Sequence, residues 1–248
     1  MAALLRKTEA YALTGLATGA NSPVWSPDGR TIAFLSPSDA AERQREASGE
    51  SEPPPITKLE KRHQRERQED AEARRNDLLR ATRIPYRDGY GKSFMDGRYQ
   101  QVYVIAAQAG AQPKRLTDLD ADHAALSWSV DGRDLLTFRP AEHLADEPSR
   151  FDALYRIRVS DGMAERLTHE AYADRNPVMS PDEAWIATVR TPQEKLYTRV
   201  PLLAVIPAGG GAGRDLTLAL DRTALDPQWS PDGKLYFRAH SEGNTEIY

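Results

Sequence analysis

The sequence has no cysteine among its 248 residues, which excludes disulfide bonds, thiolate metal sites and a cysteine nucleophile. It has no apolar run near the roughly 20 residues that span a bilayer, and its first residues lack the apolar core of a signal peptide. Charge is nearly balanced, with 33 Lys and Arg against 37 Asp and Glu, which argues against a nucleic-acid partner. We therefore expect a cytoplasmic protein that contacts neither nucleic acid nor membrane.

Recognisable catalytic and cofactor motifs are also missing. The segments Gly91-Lys92-Ser93 and Gly49-Glu50-Ser51 approach the nucleophile elbow of hydrolases, but each lacks the second glycine. The five histidines are scattered, and none lies in the His-Glu-x-x-His arrangement of zinc proteases. We expect no catalytic residue, no metal and no cofactor in this chain.

What the sequence does contain is a short segment that occurs four times. Each copy has an apolar strand that ends at a Trp position, then Ser-Pro-Asp-Gly or a close variant, then a second strand. Pro fixes φ, Asp bonds its own backbone and Gly accepts positive φ, so these residues suit a tight turn. Each copy therefore predicts a β-hairpin. The copies are residues 23–35, 126–133, 177–183 and 227–234.

A Leu-Thr pair precedes each hairpin at a nearly constant distance. The Leu lies 12 residues before the Trp position in the first three copies and 13 in the fourth. Successive Trp positions are 103, 51 and 50 residues apart, so the repeat is about 50 residues long with one enlarged unit. This repeat length with four short strands per unit is typical of a β-propeller. We predict an all-β fold, a partial propeller of four-stranded antiparallel blades over residues 1–248, of which about 3.5 blades are present.

Within each blade we expect the strand that ends at Trp to be innermost and the Leu-Thr strand to be outermost. The third strands are predicted at residues 102–105, 154–157 and 202–205. Trp25, Trp128 and Trp229 hold equivalent positions, and we expect their rings to pack between blades because aromatic side chains dominate core burial.

The enlarged first unit carries an insertion, which we place at residues 37–98. Residues 37–57 are rich in Ser, Pro, Glu and Ala and predict a mobile link. Residues 58–80 contain helix-forming residues with oppositely charged neighbours, which favours a solvated helix over a nucleic-acid arm. Because residues 37–80 lack an apolar stripe, we expect them to be poorly ordered or loosely packed outside the blades.

Two features resemble known families. The repeated hairpins with their Leu-Thr strands resemble the TolB-type propeller repeat. The charged insertion, with residues 82–89 (TRIPYRDG) and 99–105 (YQQVYVI), is similar to the first blade of acylaminoacyl-peptidase-like members of the prolyl oligopeptidase family. The resemblance implies a seven-bladed N-terminal propeller that caps an α/β-hydrolase domain with Ser, Asp and His. That domain is absent from residues 1–248, so no catalytic residue is transferred.

The resemblance implies the N-terminal propeller part of a serine peptidase that hydrolyses short peptides and controls substrate access. Its partners would be a peptide substrate, the remaining blades and the hydrolase domain on a second or longer chain; a homo-oligomer is left open. Arg83, Tyr86, Arg87 and Tyr90 would bind substrate at the entrance, since Arg holds a carboxylate through two hydrogen bonds. Salt bridges that pin the insertion are the alternative. A TolB-like binding scaffold without catalysis and a propeller enzyme acting on sugars are the other functions considered.

The ends of the sequence predict an open ring. Residues 11–14 match the outermost strand of a blade, and residues 246–248 fall inside the third strand of the fourth blade. Propellers close by pairing strands from the two chain ends. We expect the isolated chain to expose apolar blade faces and to aggregate or bind a hydrophobic dye.

Overall fold

The computed structural model describes residues 11–16, 18–49, 97–141, 152–168, 172–192 and 200–248, with five single helical positions between 59 and 69. These residues form four antiparallel sheets that follow one another along the chain. In the first three sheets four strands are hydrogen-bonded in chain order, and the fourth sheet has three strands in chain order. Within these ranges no helix is long and apolar enough to cross a membrane.

We call the sheets blades 1 to 4. Blade 1 contains β1 (Asn21–Trp25), β2 (Thr31–Ser38), helix α1 (Ala40–Ser48), β3 (Tyr99–Ala106) and β4 (Lys114–Arg115). Blade 2 contains β5 (Ala124–Trp128), β6 (Asp134–Pro140), β7 (Asp152–Arg158) and β8 (Ala164–Arg166). Blade 3 contains β9 (Tyr172–Met179), β10 (Trp185–Pro192), β11 (Leu202–Pro207) and β12 (Arg214–Asp215). Blade 4 contains β13 (Ala224–Trp229), β14 (Leu235–Ser241) and β15 (Asn244–Ile247).

The blades are arranged as an open β-propeller, which confirms the predicted fold class. The first strands of successive blades pack against one another and are therefore innermost. The three predicted third strands lie inside β3, β7 and β11. Among the described strands, none of blade 1 pairs with one of blade 4, so the ring is not closed.

Each first hairpin is closed by a Ser-x-Asp turn, and the turns of blades 1 to 3 share the same internal hydrogen bonds. In blade 1 the Ser26 hydroxyl donates to Asp28 Oδ1 at 2.6 Å, and that oxygen also accepts from the Arg30 N–H at 3.0 Å. The Ser26 oxygen in turn accepts from the Thr31 N–H at 2.9 Å. The turn is thus held by side chains within six residues of sequence. The equivalent pairs are Ser129–Asp131, Ser180–Asp182 and Ser230–Asp232.

The third turn carries Glu183 where the other turns have glycine. Its φ of 56° lies in the left-handed region, which costs a residue with a side chain about 1–2 kcal/mol. The Glu183 carboxylate accepts from the Asp131 N–H at 3.0 Å, so it joins the turns of blades 2 and 3. The residue with the unfavourable backbone conformation, Glu183, is thus also the residue that connects the two blades.

The apolar core lies between successive blades. Between blades 1 and 2, Leu35 and Leu116 pack with Leu126 and Leu135. Between blades 2 and 3, Leu136 and Leu167 belong to the same cluster as Met179, which replaces Trp in the third repeat. The Leu of each of these two Leu-Thr pairs therefore packs where its own blade meets the next.

The Thr of each pair satisfies a buried backbone N–H. The Oγ1 atoms of Thr117, Thr168 and Thr217 accept from third-strand N–H groups at 2.9, 3.0 and 2.9 Å. Each outermost strand ends two residues before its Thr, so the hydroxyl takes the position of a backbone carbonyl. All three threonines are buried, and an unpaired N–H there would cost free energy.

The tryptophans hold equivalent positions, but only two of them pack between blades. The Trp128 indole N–H donates to the Val24 carbonyl, and that of Trp229 donates to the Val178 carbonyl, both at 3.1 Å. Each bond reaches the residue before the Trp position of the preceding blade. Trp25 belongs to the first described blade and is 61% exposed, so its predicted burial is wrong.

Helix α1 corrects the prediction of a mobile link for residues 37–49, whereas residues 50–57 lie outside the described residues. Strand β2 continues to Ser38, and α1 begins with a capping box in which Asp39 accepts from the Glu42 N–H at 2.8 Å. Glu42 accepts from the Asp39 N–H at 2.9 Å. The prediction from composition failed because α1 is held by charged side chains instead of an apolar stripe.

Further along the insertion, the described single positions support the predicted helix. Leu59 is helical, and so are Arg62 and Glu66, whose side chains pair at 2.9 Å, and Arg65 and Glu69, which also pair at 2.9 Å. The rest of residues 50–96 lies outside the described residues.

Residues 11–16 and 18–20, which the structure describes before blade 1, form no strand, contrary to the prediction for residues 11–14. Leu13 and Leu16 instead pack against a cluster that contains Phe34 and Tyr103 of blade 1. Leu13 of the first Leu-Thr pair therefore packs against blade 1 although its segment does not pair as a strand.

Candidate functional site

The insertion, whose sequence contains the residues predicted to bind substrate, leaves and re-enters blade 1 at the end of the blades opposite the Ser-x-Asp turns. We call this end, where second strands lead to third strands, the insertion end, and the other the turn end. Arg83, Tyr86, Arg87 and Tyr90 lie outside the described residues, so their role stays a prediction. The structure describes helix α1, where the insertion leaves blade 1, and residues 97 and 98, where it returns to β3.

A salt bridge joins the two ends of the insertion. Arg98 donates from Nε and Nη2 to the two Glu42 oxygens at 3.1 and 2.7 Å. Glu42 also completes the capping box of α1. One carboxylate therefore holds the first and last residues of the insertion together. The two parallel hydrogen bonds of an Arg–carboxylate pair also fix its geometry.

Arg43 fixes α1 to the blades. Its side chain is 5% exposed and donates to Asp118 at 2.6 Å and to Asp120 at 2.5 Å. It also donates to the Ser38 carbonyl at 3.0 Å. Burial alone would lower the pKa of Arg43, but the two carboxylates raise it above its ordinary value. Asp118 and Asp120 lie in the loop between blades 1 and 2. Their partner could not be predicted from sequence, because Arg43 is about 75 residues away.

Glu46 of α1 forms a second charged contact with blade 1. Its carboxylate accepts from the Tyr103 hydroxyl at 3.1 Å and from Arg115 Nε at 2.8 Å. Burial, together with the charge of Glu46, raises the pKa of Tyr103, so the hydroxyl stays protonated and donates. A carboxylate is thus held between a third-strand Tyr and an outermost-strand Arg.

Blade 3 holds a fully buried ion pair at its insertion end. Arg190 donates to the two oxygens of Asp174 at 2.7 and 3.2 Å. Its guanidinium also lies 3.7 Å from Asp215 and 4.3 Å from the centre of the Tyr172 ring. Buried charges are stable only when paired and hydrogen-bonded in this way.

Blade 2 has Arg139 and His123 in this region. His123 is 1% exposed, and neither ring nitrogen has a hydrogen-bond partner. Burial and the charge of Arg139 lower the pKa of His123 to about 3, so the ring is neutral. Arg139 lies 3.8 Å above the Tyr155 ring and donates to the Pro140 carbonyl at 3.2 Å, while its Nε has no partner.

At the turn end, a cavity of about 380 Å³ lies between blades 1 and 2. Its acids, Asp28 and Asp131, are already bound within their own turns. Its lining is Ser26, Pro27, Asp28, Thr31, Trp128, Val130, Asp131, Gly132 and Val159. We see no reactive group in it.

The described residues can bind charged groups but show no constellation for acyl transfer. The two described histidines are His123 and His240, and His240 contacts only the Thr245 hydroxyl at 3.2 Å. No group of three His, Asp or Glu in the described ranges could hold a metal ion. Any hydrolytic chemistry would have to come from other residues.

Comparison with solved structures gives the class of fold. Acylaminoacyl peptidase in complex with Z-Gly-Gly-Phe-chloromethyl ketone matches with a TM-score of 0.60 and 16% identity, over 98% of this chain and 32% of the peptidase. Acylaminoacyl peptidase from Pyrococcus horikoshii matches at 0.58 and 17%, over 94% and 30%. TolB from Agrobacterium tumefaciens matches at 0.55 and 16%, over 94% and 62%. No protein-family model and no curated protein matches the sequence.

The chain therefore has the β-propeller fold found in TolB and in acylaminoacyl peptidases, as the repeats predict. Within the peptidases it corresponds to the propeller portion alone. It spans less than two thirds of each of these structures, between 30% and 62% of their length.

Proposed function

We propose that this chain is the propeller portion of a serine peptidase, acylaminoacyl- or oligopeptidase-like, that hydrolyses short peptides. In this proposal the catalytic Ser, Asp and His belong to a hydrolase domain outside residues 1–248. The propeller excludes large substrates and helps to hold the peptide, which shields the reaction from competing water and substrates. We also propose a cytoplasmic location.

The observation that most favours a peptidase is the clamped insertion. Its start and end are joined by Glu42 and Arg98, and α1 is anchored by Arg43 and Glu46. Buried and bidentate charged contacts specify position more than they add stability. An insertion positioned in this way at one end of a blade suits an element that controls an entrance.

The exposed apolar surface favours a larger assembly. Trp25 of blade 1 and Ile247 of blade 4 are 61% and 76% exposed, and Tyr11 and Leu218 are also exposed. We propose that further blades and the hydrolase domain, on a second or longer polypeptide, cover these faces, because soluble monomers rarely show large apolar patches.

The test is active-site labelling of the polypeptide, or pair of polypeptides, that contains this propeller. The coding sequence downstream of residue 248 identifies it. We expect a fluorophosphonate probe to label a serine outside residues 1–248, and we expect hydrolysis of an acetyl-amino-acid p-nitroanilide. An assembled protein that neither reacts with the probe nor hydrolyses peptides would contradict the proposal.

The proposed substrate residues have a separate test. In the assembled enzyme, Arg87→Ala should raise KM for short peptides by a larger free-energy equivalent than the stability it removes. Alanine variants of Arg83, Tyr86 and Tyr90 should behave in the same way. Arg62→Ala, an exposed position of the same insertion, is the matched control. An unchanged KM in Arg87→Ala would leave only a structural role for these residues.

A TolB-like binding scaffold is the second candidate. It is favoured by the match to TolB, of which this chain covers 62%, and by the lack of an acyl-transfer constellation in the described ranges. A probe-inert protein that co-purifies stably with a second protein would favour this candidate.

A further inference from the structure

Blades 2 and 3 share one structural position at the insertion end, where blade 1 has Ser36 instead of an arginine. Arg139 and Arg190 each lie five residues after the start of their second strands, β6 and β10. Arg190 pairs with Asp174 in the strand register, and Ala124 pairs with Phe138. His123 directly precedes β5, and continuing this register by one residue places it opposite Arg139. His123 is therefore the counterpart of Asp174.

The outermost strands extend this equivalence. Asp215 pairs with Ala204 in blade 3, and Arg166 pairs with Tyr155 in blade 2. Each of these residues directly precedes its Leu-Thr pair. The two acids around Arg190 in blade 3 thus correspond to a histidine and an arginine in blade 2.

Blades 1 and 3 both hold a carboxylate beside the outermost strand at this end. In blade 3 the carboxylates are Asp174 and Asp215. In blade 1, Tyr103 and Arg115 pair in the strand register as Tyr155 and Arg166 do in blade 2. There Glu46 of α1 supplies the carboxylate.

In blade 2 no described acid occupies this position. The nearby Asp152 is bound by Arg175 of blade 3. Arg166 donates to the Thr168 carbonyl at 2.7 Å and adds positive charge beside Arg139. Arg139 Nε and both nitrogens of His123 have no partner. A half-buried guanidinium and a buried imidazole therefore lie together without the anion that their counterparts in blade 3 have.

We propose that Arg139 and His123 form a binding site for the carboxylate of a small ligand. The guanidinium would hold the carboxylate through charge-assisted hydrogen bonds, and the neutral His123 ring would donate one N–H. The C-terminal carboxylate of a short peptide is the carrier we expect. That choice of carrier rests on the proposed function, whereas the carboxylate site itself rests on the comparison of blades.

The site is tested on the assembled polypeptide, or pair of polypeptides, that contains this propeller, with histidine labelled in ¹⁵N, observing by NMR the ring signals that are assigned to His123 by their loss in His123→Asp. The probes are acetyl-alanyl-alanine, its C-terminal amide, and propionate. We expect a saturable shift with both carboxylates, and binding of the amide weaker by about tenfold or more. Binding of propionate alone would retain the site and overturn the peptide as carrier. Equal binding of peptide and amide, or no shift at about 10 mM probe, would overturn the site.

Three variants assign the effect to these residues. Arg139→Gln should weaken carboxylate binding by about tenfold or more. His123→Asp, in which binding is followed by isothermal titration calorimetry because the His123 signal is lost, should abolish it without loss of thermal stability, because it recreates the Asp174–Arg190 pair inside blade 2. Arg158→Gln, an exposed residue of β7 paired with Asp161, is the control and should bind as the parent does. Unchanged binding in His123→Asp would overturn the site.

An acid of the chain itself is the competing occupant. Glu142, Asp146 and Glu147 follow β6 in sequence and lie outside the described residues. We expect their combined replacement by Gln, Asn and Gln to leave probe binding unchanged. Binding that becomes about tenfold tighter would show that the chain fills its own site, and would overturn an external ligand. Labelling by the fluorophosphonate probe is unaffected by either outcome, so the two proposals fail separately.

Discussion

The two ends of the blades are built differently. At the turn end, all four blades repeat the hydrogen bond between a Ser and an Asp, and blades 1 to 3 also repeat the bonds of this pair to the backbone. At the insertion end, the charges differ from blade to blade: Glu46 with Arg115, His123 with Arg139, and Asp174 with Arg190. The repeated end specifies the hairpin, and the varied end distinguishes one blade from another.

Exposure explains why the two ends carry different energies. The turn carboxylates are open to solvent, where a lost partner is replaced by water. Asp174 and Arg190 are buried, so removal of one leaves an uncompensated charge. We therefore expect substitutions of paired charges to lower the free energy of unfolding strongly at the insertion end and weakly at the turn end.

The largest effect should follow from Asp174→Ala. It leaves Arg190 buried with only a distant contact to Asp215, and we expect a loss of about 3–5 kcal/mol in the free energy of unfolding. Urea denaturation monitored by tryptophan fluorescence measures this loss. Replacement of both partners, Asp174→Ala with Arg190→Met, should recover most of the loss. A single variant as stable as the parent would show that the pair is not buried in solution.

Arg43→Met should have the next largest effect. Asp118 and Asp120 remain exposed and can be rehydrated, so we expect a loss of about 1–3 kcal/mol. Helix α1 should become accessible to protease while the blades stay resistant, as limited proteolysis would show. Arg45→Ala, an exposed position of the same helix, should leave the cleavage pattern unchanged. Protection of α1 in Arg43→Met would contradict the anchor.

Thr168→Val tests the repeat itself. It keeps the shape of the side chain but leaves the Leu154 N–H unsatisfied, which should cost about 1–3 kcal/mol. Thr117→Val should cost a similar amount, since the bond is the same in blade 1. Thermal melting of both variants measures this. If one variant lost stability and the other did not, the two Thr positions would not be equivalent.

The smallest effect is expected at the turn end and depends on pH. The Ser180 hydroxyl and the Ala184 N–H hold the pKa of Asp182 below its ordinary value. A lowered folded pKa gives stability that is present above the unfolded pKa of about 3.9 and is lost as pH falls through the folded pKa. Asp182→Asn should therefore melt slightly below the parent at pH 6 and together with it at pH 2. The same difference at both pH values would contradict the charge-dependent bond.

The blades could be predicted from sequence because their signals are local and repeated. Ser26 and Asp28 are two residues apart, and the Leu-Thr pair keeps its distance from the Trp position in each copy. Exposure was less predictable, since Trp25 and Trp128 share a motif but have different neighbours. Helix α1 was missed because its anchors are charges, which composition associates with solvent.

The propeller fold, the order of strands and the hairpin turns could be read from the sequence, because each depends on residues within one repeat. Which charges meet at the insertion end became visible only in three dimensions. Arg43 finds Asp118 across 75 residues and Glu42 finds Arg98 across 56. His123 faces Arg139 only through the register of two strands. Such contacts depend on burial and on distance in space, and neither is encoded in the spacing of residues along the chain.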